Sequence, residues 1–219
     1  MRSFLVLLGP PGAGKGTQAA RLSARQGIPH ISSGDLFREH IRGKTDLGKL
    51  AEGYMACGQL VPDEVTIAMI RERVSRADCS RGALLDGFPR TPAQADEFGR
   101  MATELGGEVR AVVYLRVADA ELIERLTGRW MCRAQGHIYH SRTHPPKKAG
   151  RCDLDGSELV QREDDKVETV TRRLGVYREQ TEKLVEHYRK AGLLVEIDGA
   201  QPEAVVAELT AAALKGRLD

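Results

Sequence analysis

Short apolar runs alternate along the chain with longer stretches of helical period. Phe4–Leu8, Ile28–Ile31, Ala83–Leu85, Ala111–Leu115 and Leu193–Ile197 have the length and composition of strands. Between and after them, Lys15–Arg25, Asp63–Arg76, Ala93–Leu105, Ala120–Leu126, Val167–Lys190 and Pro202–Leu214 carry helical spacing. The last opens on Pro202, whose fixed φ suits a first helical turn. Strand alternating with helix is the βαβ pattern, which predicts an α/β fold: a mostly parallel five-stranded sheet flanked by helices. No internal repeat or low-complexity tract interrupts it.

One segment does. From Gly128 to Asp165 there is no long helix, and Gly136, Pro145, Pro146, Gly150 and Gly156 mark turns among Cys132, His137, His140 and Cys152. A turn-rich stretch of that length inside a compact α/β domain is uncommon unless it serves a function. A small β-rich insert is expected. Arginines at its ends, Arg129 and Arg162, give it the outline of a lid over an anionic ligand, against the alternative of a passive surface excursion.

Composition narrows the classes without choosing among them. With 219 residues, 41% hydrophobic and 29% charged, the chain can bury a substantial core. Its 33 basic and 31 acidic side chains nearly cancel, so global charge makes no case for a nucleic-acid or membrane partner. No apolar run reaches the length of a bilayer span. The N-terminus opens directly into the first strand, so no secretion signal is expected, and the four cysteines then do not suggest a disulfide framework. A cytoplasmic location is expected.

The chemistry begins between the first strand and the first helix. Gly9-Pro10-Pro11-Gly12-Ala13-Gly14-Lys15-Gly16-Thr17 is a glycine-rich loop whose backbone N–H groups converge where the helix dipole is positive. That arrangement suits polyphosphate, with Lys15 reaching the β- and γ-phosphates and the Thr17 hydroxyl ligating Mg²⁺. A nucleoside triphosphate is the expected ligand of this phosphate-loop fold. In Leu84-Leu85-Asp86-Gly87-Phe88-Pro89-Arg90 an acid ends an apolar strand, where a carboxylate can organise the Mg²⁺ hydration shell; a turn-forming role is the plainer alternative. Ser32-Ser33-Gly34-Asp35-Leu36-Phe37-Arg38 opens a helix whose N-terminus and arginine could hold a second, smaller anion. Gln161-Arg162-Glu163-Asp164-Asp165 precedes a helix bearing Arg172 and Arg173, and taken alone reads equally as a solvated charged face.

Taken in order with Gly58-Gln59-Leu60-Val61-Pro62-Asp63-Glu64, Gln94, Tyr139-His140, His144-Pro145-Pro146 and Glu168-Thr169-Val170, these motifs make the chain resemble the long-lid adenylate kinases over essentially its whole length. The resemblance implies reversible phosphoryl transfer from MgATP to AMP, giving two ADP. It implies that Gly12, Ala13, Gly14, Lys15, Gly16 and Thr17 hold the ATP phosphates, and that Ile138, Tyr139 and Gln201 complete the ATP-base pocket. The AMP site would comprise Ser33, Arg38, the Gln59–Leu60–Val61 segment, Gly87, Phe88, Pro89, Arg90 and Gln94, with the Gln94 amide pairing with adenine. Lys15, Arg90, Arg129, Arg162 and Arg173 would surround the transferring group, Arg162 and Arg173 also facing AMP, and Thr17 and Asp86 would attend Mg²⁺. Asp164 and Asp165 would hold arginines in place.

Lids of this family either bind a structural zinc or replace it with a polar cluster. The corresponding positions here hold Cys132, Gln135, Cys152 and Asp155. Glutamine is a poor zinc ligand, and His137 nearby could take its place; a metal-free lid is the other outcome. The implied organisation is a core (residues 1–31, 62–127 and 166–219), a helical NMP-binding insert (32–61) and the lid (128–165), acting as a monomer on ATP, AMP and ADP. The alternatives are a UMP/CMP or other nucleoside monophosphate kinase and a phosphate-loop NTPase switch. The switch would require a GTPase-like Asn-Lys-x-Asp base reader that the sequence lacks.

Overall fold

A computed structural model of the chain describes residues 1–217. In chain order its elements are β1 (Arg2–Leu8), α1 (Lys15–Gln26), β2 (His30–Ser32), α2 (Ser33–Arg42), α3 (Asp46–Ala56), α4 (Asp63–Val74), β3 (Gly82–Asp86), α5 (Pro92–Glu104), β4 (Gly107–Arg116) and α6 (Asp119–Thr127). Then follow β5 (Arg129–Cys132), β6 (Ile138–His140), β7 (Leu159–Val160), α7 (Val167–Val176), α8 (Lys183–Lys190), β8 (Leu194–Asp198) and α9 (Glu203–Leu214).

The five expected strands form one parallel sheet in the order β2-β3-β1-β4-β8. Successive side chains of β1 leave on opposite faces, and both faces are covered. Phe4, Val6 and Leu8 pack with Phe98 and Met101 of α5, while Leu5 and Leu7 pack with Leu22 of α1 and Leu122 of α6. This two-sided burial is why the strands read as unbroken apolar runs. Each such side chain taken out of water contributes about 1.5–3 kcal/mol. Because β1 lies between β3 and β4, the chain leaving its carboxyl end opens at the point where strand order reverses, and such crevices are where α/β sheets bind ligands.

Three departures from the sequence pattern have local causes. β2 starts at His30 rather than Ile28, since Pro29 has no N–H to give the ladder; its carbonyl still accepts from Leu84 N at 2.9 Å. β4 extends back to Gly107, past a register shift opposite Phe4 and Leu5. The single long helix expected over Val167–Lys190 is interrupted: across Tyr177–Thr181 the turn widens, and Glu182 N donates to Tyr177 O at 2.9 Å. Tyr177 and Thr181, at the two ends of the widened turn, are both buried.

Two smaller pieces flank the cleft. α2 is capped by Ser32 and α3 by Thr45. The two helices approach so closely that a Cβ on Gly48 would fall 2.1 Å from His40 O. The turn-rich segment forms an antiparallel sheet, β6-β5-β7, over a core of its own: Cys132, Tyr139, Cys152 and Leu159. No helix among the described residues is long and apolar enough to cross a membrane.

Candidate active site

At the carboxyl end of the sheet lies a cleft of about 2150 Å³, lined by the β1–α1 loop, α2, the end of α3, the β3–α5 loop, the small sheet, residues 161–164 and Arg173 of α7. Single-ligand pockets hold about 300–1,000 Å³, so the space suits two nucleotides.

The β1–α1 loop is built by glycines at positive φ. Gly12 (φ 87°) backs onto α6, where a Cβ would meet Leu126 Cγ at 3.0 Å, and Gly14 (φ 87°) caps α1 in the left-handed region with open space before it. The Lys15 ammonium lies inside the loop, donating to Gly9 O at 2.7 Å and Pro10 O at 2.9 Å. Burial is the main reason its pKa falls to about 8; Asp86 pulls the other way, and Arg90, Arg173 and Arg129 add repulsion. Thr17 borders the same cleft, and Asp86 ends β3 beside Gly16, whose missing Cβ would stand 3.6 Å from Asp86 Oδ2. A hydroxyl and a carboxylate are hard oxygen donors, the chemistry Mg²⁺ requires.

Across the cleft, Arg90 Nε donates to Gly87 O at 2.6 Å and Arg90 N donates to Gln94 Oε1 at 2.8 Å. Gln94 Nε2 donates to Asp63 Oδ1 at 2.7 Å, and Thr91 Oγ1 donates to Asp63 Oδ2 at 2.7 Å. Gln94 is thus a buried strut that fixes the Arg90 backbone, with one N–H and one lone pair left for a ligand. Sequence reasoning gave neither Asp63 nor Thr91 a role at the site, although Asp63 stands in the Gly58–Glu64 motif and opens a helix. Burial, and then Arg173, push Arg90 down to about 10. Ser33 Oγ donates to Gly87 O at 2.6 Å, tying α2 to the same turn, and Arg38 pairs with Asp35 at 2.6 Å.

Arg129 donates to both carboxylate oxygens of Asp165, at 2.8 and 2.6 Å, and Asp165 is wholly buried. Arg173 donates to Asp164 O at 2.7 Å and lies 3.1 Å from Asp164 Oδ2 and 3.3 Å from Asp165 Oδ1. Asp164 and Asp165 are therefore anchors for arginines, while Glu163 pairs with Lys166 at 2.5 Å. Burial lowers Arg162 to about 10, with Arg38 and Arg129 adding repulsion. Lys15, Arg38, Arg90, Arg129, Arg162 and Arg173 all line one cavity. Such crowding is unfavourable until an anion enters.

Other expected site residues fall differently. Gln59, Leu60, Val61, Gly87, Ile138 and Gln201 line the cleft. Phe88 and Pro89 do not: the Phe88 ring is fully buried edge-on to Phe98 at 5.6 Å. The Tyr139 ring belongs to the core of the small sheet, where its hydroxyl accepts from Asp153 N at 2.7 Å.

A family model described as Adenylate kinase matches residues 7–193. The chain belongs to the adenylate kinase family. It is 55% identical to the adenylate kinase of Moorella thermoacetica over 90% of its own length and 91% of that protein. It is 49% identical to that of Symbiobacterium thermophilum over 97% and 99% of the two chains, and 52% identical to that of Brevibacillus brevis over 92% and 94%.

The small sheet carries a four-residue donor cluster. Single ligand atoms of Cys132, His137, Cys152 and Asp155 all lie within 4.8 Å of one another. His137 Nδ1 is 3.4 Å from Cys132 Sγ, 3.3 Å from Cys152 Sγ and 3.4 Å from Asp155 Oδ2. Tetrahedral zinc with ordinary bond lengths sets donor-to-donor edges of about 3.5 Å, so this group fits the ion. The Gln135 backbone N–H donates to Cys132 Sγ at 3.2 Å, and Leu154 N donates to Cys152 Sγ at 3.4 Å. Burial raises the Cys132 thiol, but hydrogen bonds, the Gln135 N–H among them, outweigh it and bring the pKa to about 7.

Proposed function

We propose that the chain transfers the γ-phosphoryl group of MgATP reversibly to AMP, giving two ADP, with both nucleotides held in the one cleft. The observation that carries this reading is the convergence of Lys15 and five arginines from opposite walls on a single space. ATP phosphates take the Gly12–Thr17 loop, and its base lies between Ile138 and the backbone at Tyr139 and Gln201. AMP takes the wall of Ser33, Arg38, Gln59–Val61, Gly87 and Arg90, with the free N–H and lone pair of Gln94 facing adenine. The division into core (1–31, 62–127, 166–219), insert (32–61) and lid (128–165) follows from these roles.

The transition state is loose and spreads charge over the equatorial oxygens, so the protein must align and neutralise rather than form bonds. Arg90, held through Nε, turns its terminal nitrogens to the phosphates; Arg129 and Arg173 are aimed by Asp165 and Asp164. AMP phosphate is already an anionic nucleophile, so no base is needed. Thr17 and Asp86 would hold Mg²⁺ and its hydration shell, and the ion would supply charge neutralisation to the donor phosphates. Lid closure over the cleft would exclude water as a competing acceptor. We further propose that Cys132, His137, Cys152 and Asp155 hold a structural zinc, with Gln135 contributing only its backbone. Action as a cytoplasmic monomer completes the reading.

Two measurements bear on it here. Turnover with AMP, GMP, CMP and UMP as acceptors is expected to favour AMP by at least about tenfold, the worth of one well-placed polar pair; preference for another base would overturn the acceptor assignment. Lys15, near pKa 8 in the free protein, is mostly neutral at about pH 9, and a triphosphate against Nζ restores its proton. Binding of a non-hydrolysable ATP analogue should then take up close to one proton at about pH 9, where the terminal phosphate is already ionised, read by calorimetry in buffers of different ionisation enthalpy. Proton release, or no buffer dependence at that pH, would contradict the placement of Lys15.

A further inference from the structure

His30 opens the edge strand β2, two residues before Ser32, which stands opposite Asp86 in the sheet. Its Nε2 lies 3.4 Å from Asp86 Oδ2, the imidazole and the carboxylate being 23% and 12% exposed. That nitrogen is shielded from solvent and has no hydrogen-bond partner among the described residues. A buried ring nitrogen is costly to leave unmatched, and the nearby acceptor is a carboxylate oxygen. On its other side the same oxygen faces Gly16, where no side chain intervenes. Asp86 is thus held between the phosphate loop and one histidine. Nothing in the sequence pattern singled out His30.

We propose that His30 is a positioning residue for the metal-attending carboxylate. Its Nε2–H donates to Asp86 Oδ2 and fixes the rotation of the carboxyl group that would attend the divalent cation. This rests on the reading of Asp86 given above. A partner behind a metal-directed group typically changes metal affinity without touching the ligand.

The test measures metal retention rather than turnover: free Mn²⁺ is read by electron paramagnetic resonance in mixtures of protein, a non-hydrolysable ATP analogue and Mn²⁺. His30→Ala is expected to weaken Mn²⁺ retention in the ternary complex about tenfold, with affinity for AMP changed by less than about twofold, and His30→Gln, which keeps an N–H donor, to recover most of it. Retention by His30→Ala equal to the unmodified protein overturns the proposal. So does a parallel loss of AMP affinity that His30→Gln fails to repair. Asp86→Asn separates the two readings: if it alone releases Mn²⁺, only the role of His30 falls, and if it too retains the ion, the role of Asp86 falls as well.

Discussion

Replacing Arg90 with alanine is expected to lower kcat by about 10³-fold, near 4 kcal/mol of lost transition-state stabilisation. Arg90 Nε is committed to Gly87 O and its backbone N–H to Gln94, so the side chain has one orientation and presents its remaining nitrogens to the cleft. The charge is also desolvated, which raises the worth of each contact to a phosphate oxygen. Arg90→Lys should recover little, because one ammonium cannot hold the turn and reach a phosphate together. Thermal unfolding should separate this loss from misfolding, since Arg90 lies outside the apolar clusters. An alanine variant within about threefold of normal turnover would remove Arg90 from the reacting group, as no charge-stabilising contact is worth so little.

The second large effect lies in the lid. The protein purified without added metal is expected to carry one zinc per chain, measured by elemental analysis. Cys132→Ser combined with His137→Ala should abolish it and lower Tm by about 10 °C, corresponding to about 3–4 kcal/mol in a chain of this size. The small sheet has a core of only four buried apolar or thiol side chains, too few to order a segment of turns unaided. Gln135→Ala should keep the zinc, because that residue contributes a backbone N–H to Cys132 Sγ. Zinc lost with Gln135→Ala and kept with His137→Ala would reverse the ligand assignment.

Much of this was legible in the chain itself, for identifiable reasons. β1 shows as an apolar run because both faces of the sheet are covered, and the phosphate loop because its glycines adopt backbone angles other residues resist. The arginine roles were legible through the family resemblance rather than from the residues alone, and what aims them was less so. Gln94 looked like a base reader, yet most of its amide is spent on Asp63 and the Arg90 backbone, a pairing between residues 31 positions apart that no local pattern encodes. Phe88 sits in a ligand-binding motif but serves the core through Phe98. The widened turn at Tyr177–Thr181 follows from tertiary packing and leaves no mark on helical periodicity. In the lid, spacing could propose either Gln135 or His137; only the fold brings the His137 ring to both thiols.

The central claim is that one cleft passes a phosphoryl group from one nucleotide to another and keeps it from water. Incubation with ATP labelled in its γ-phosphate, with and without AMP, tests this most directly. The label is expected in the β-position of newly formed ADP when AMP is present, with almost no labelled inorganic phosphate in either mixture. Label released as inorganic phosphate at a rate indifferent to AMP would identify water as the acceptor and contradict the account.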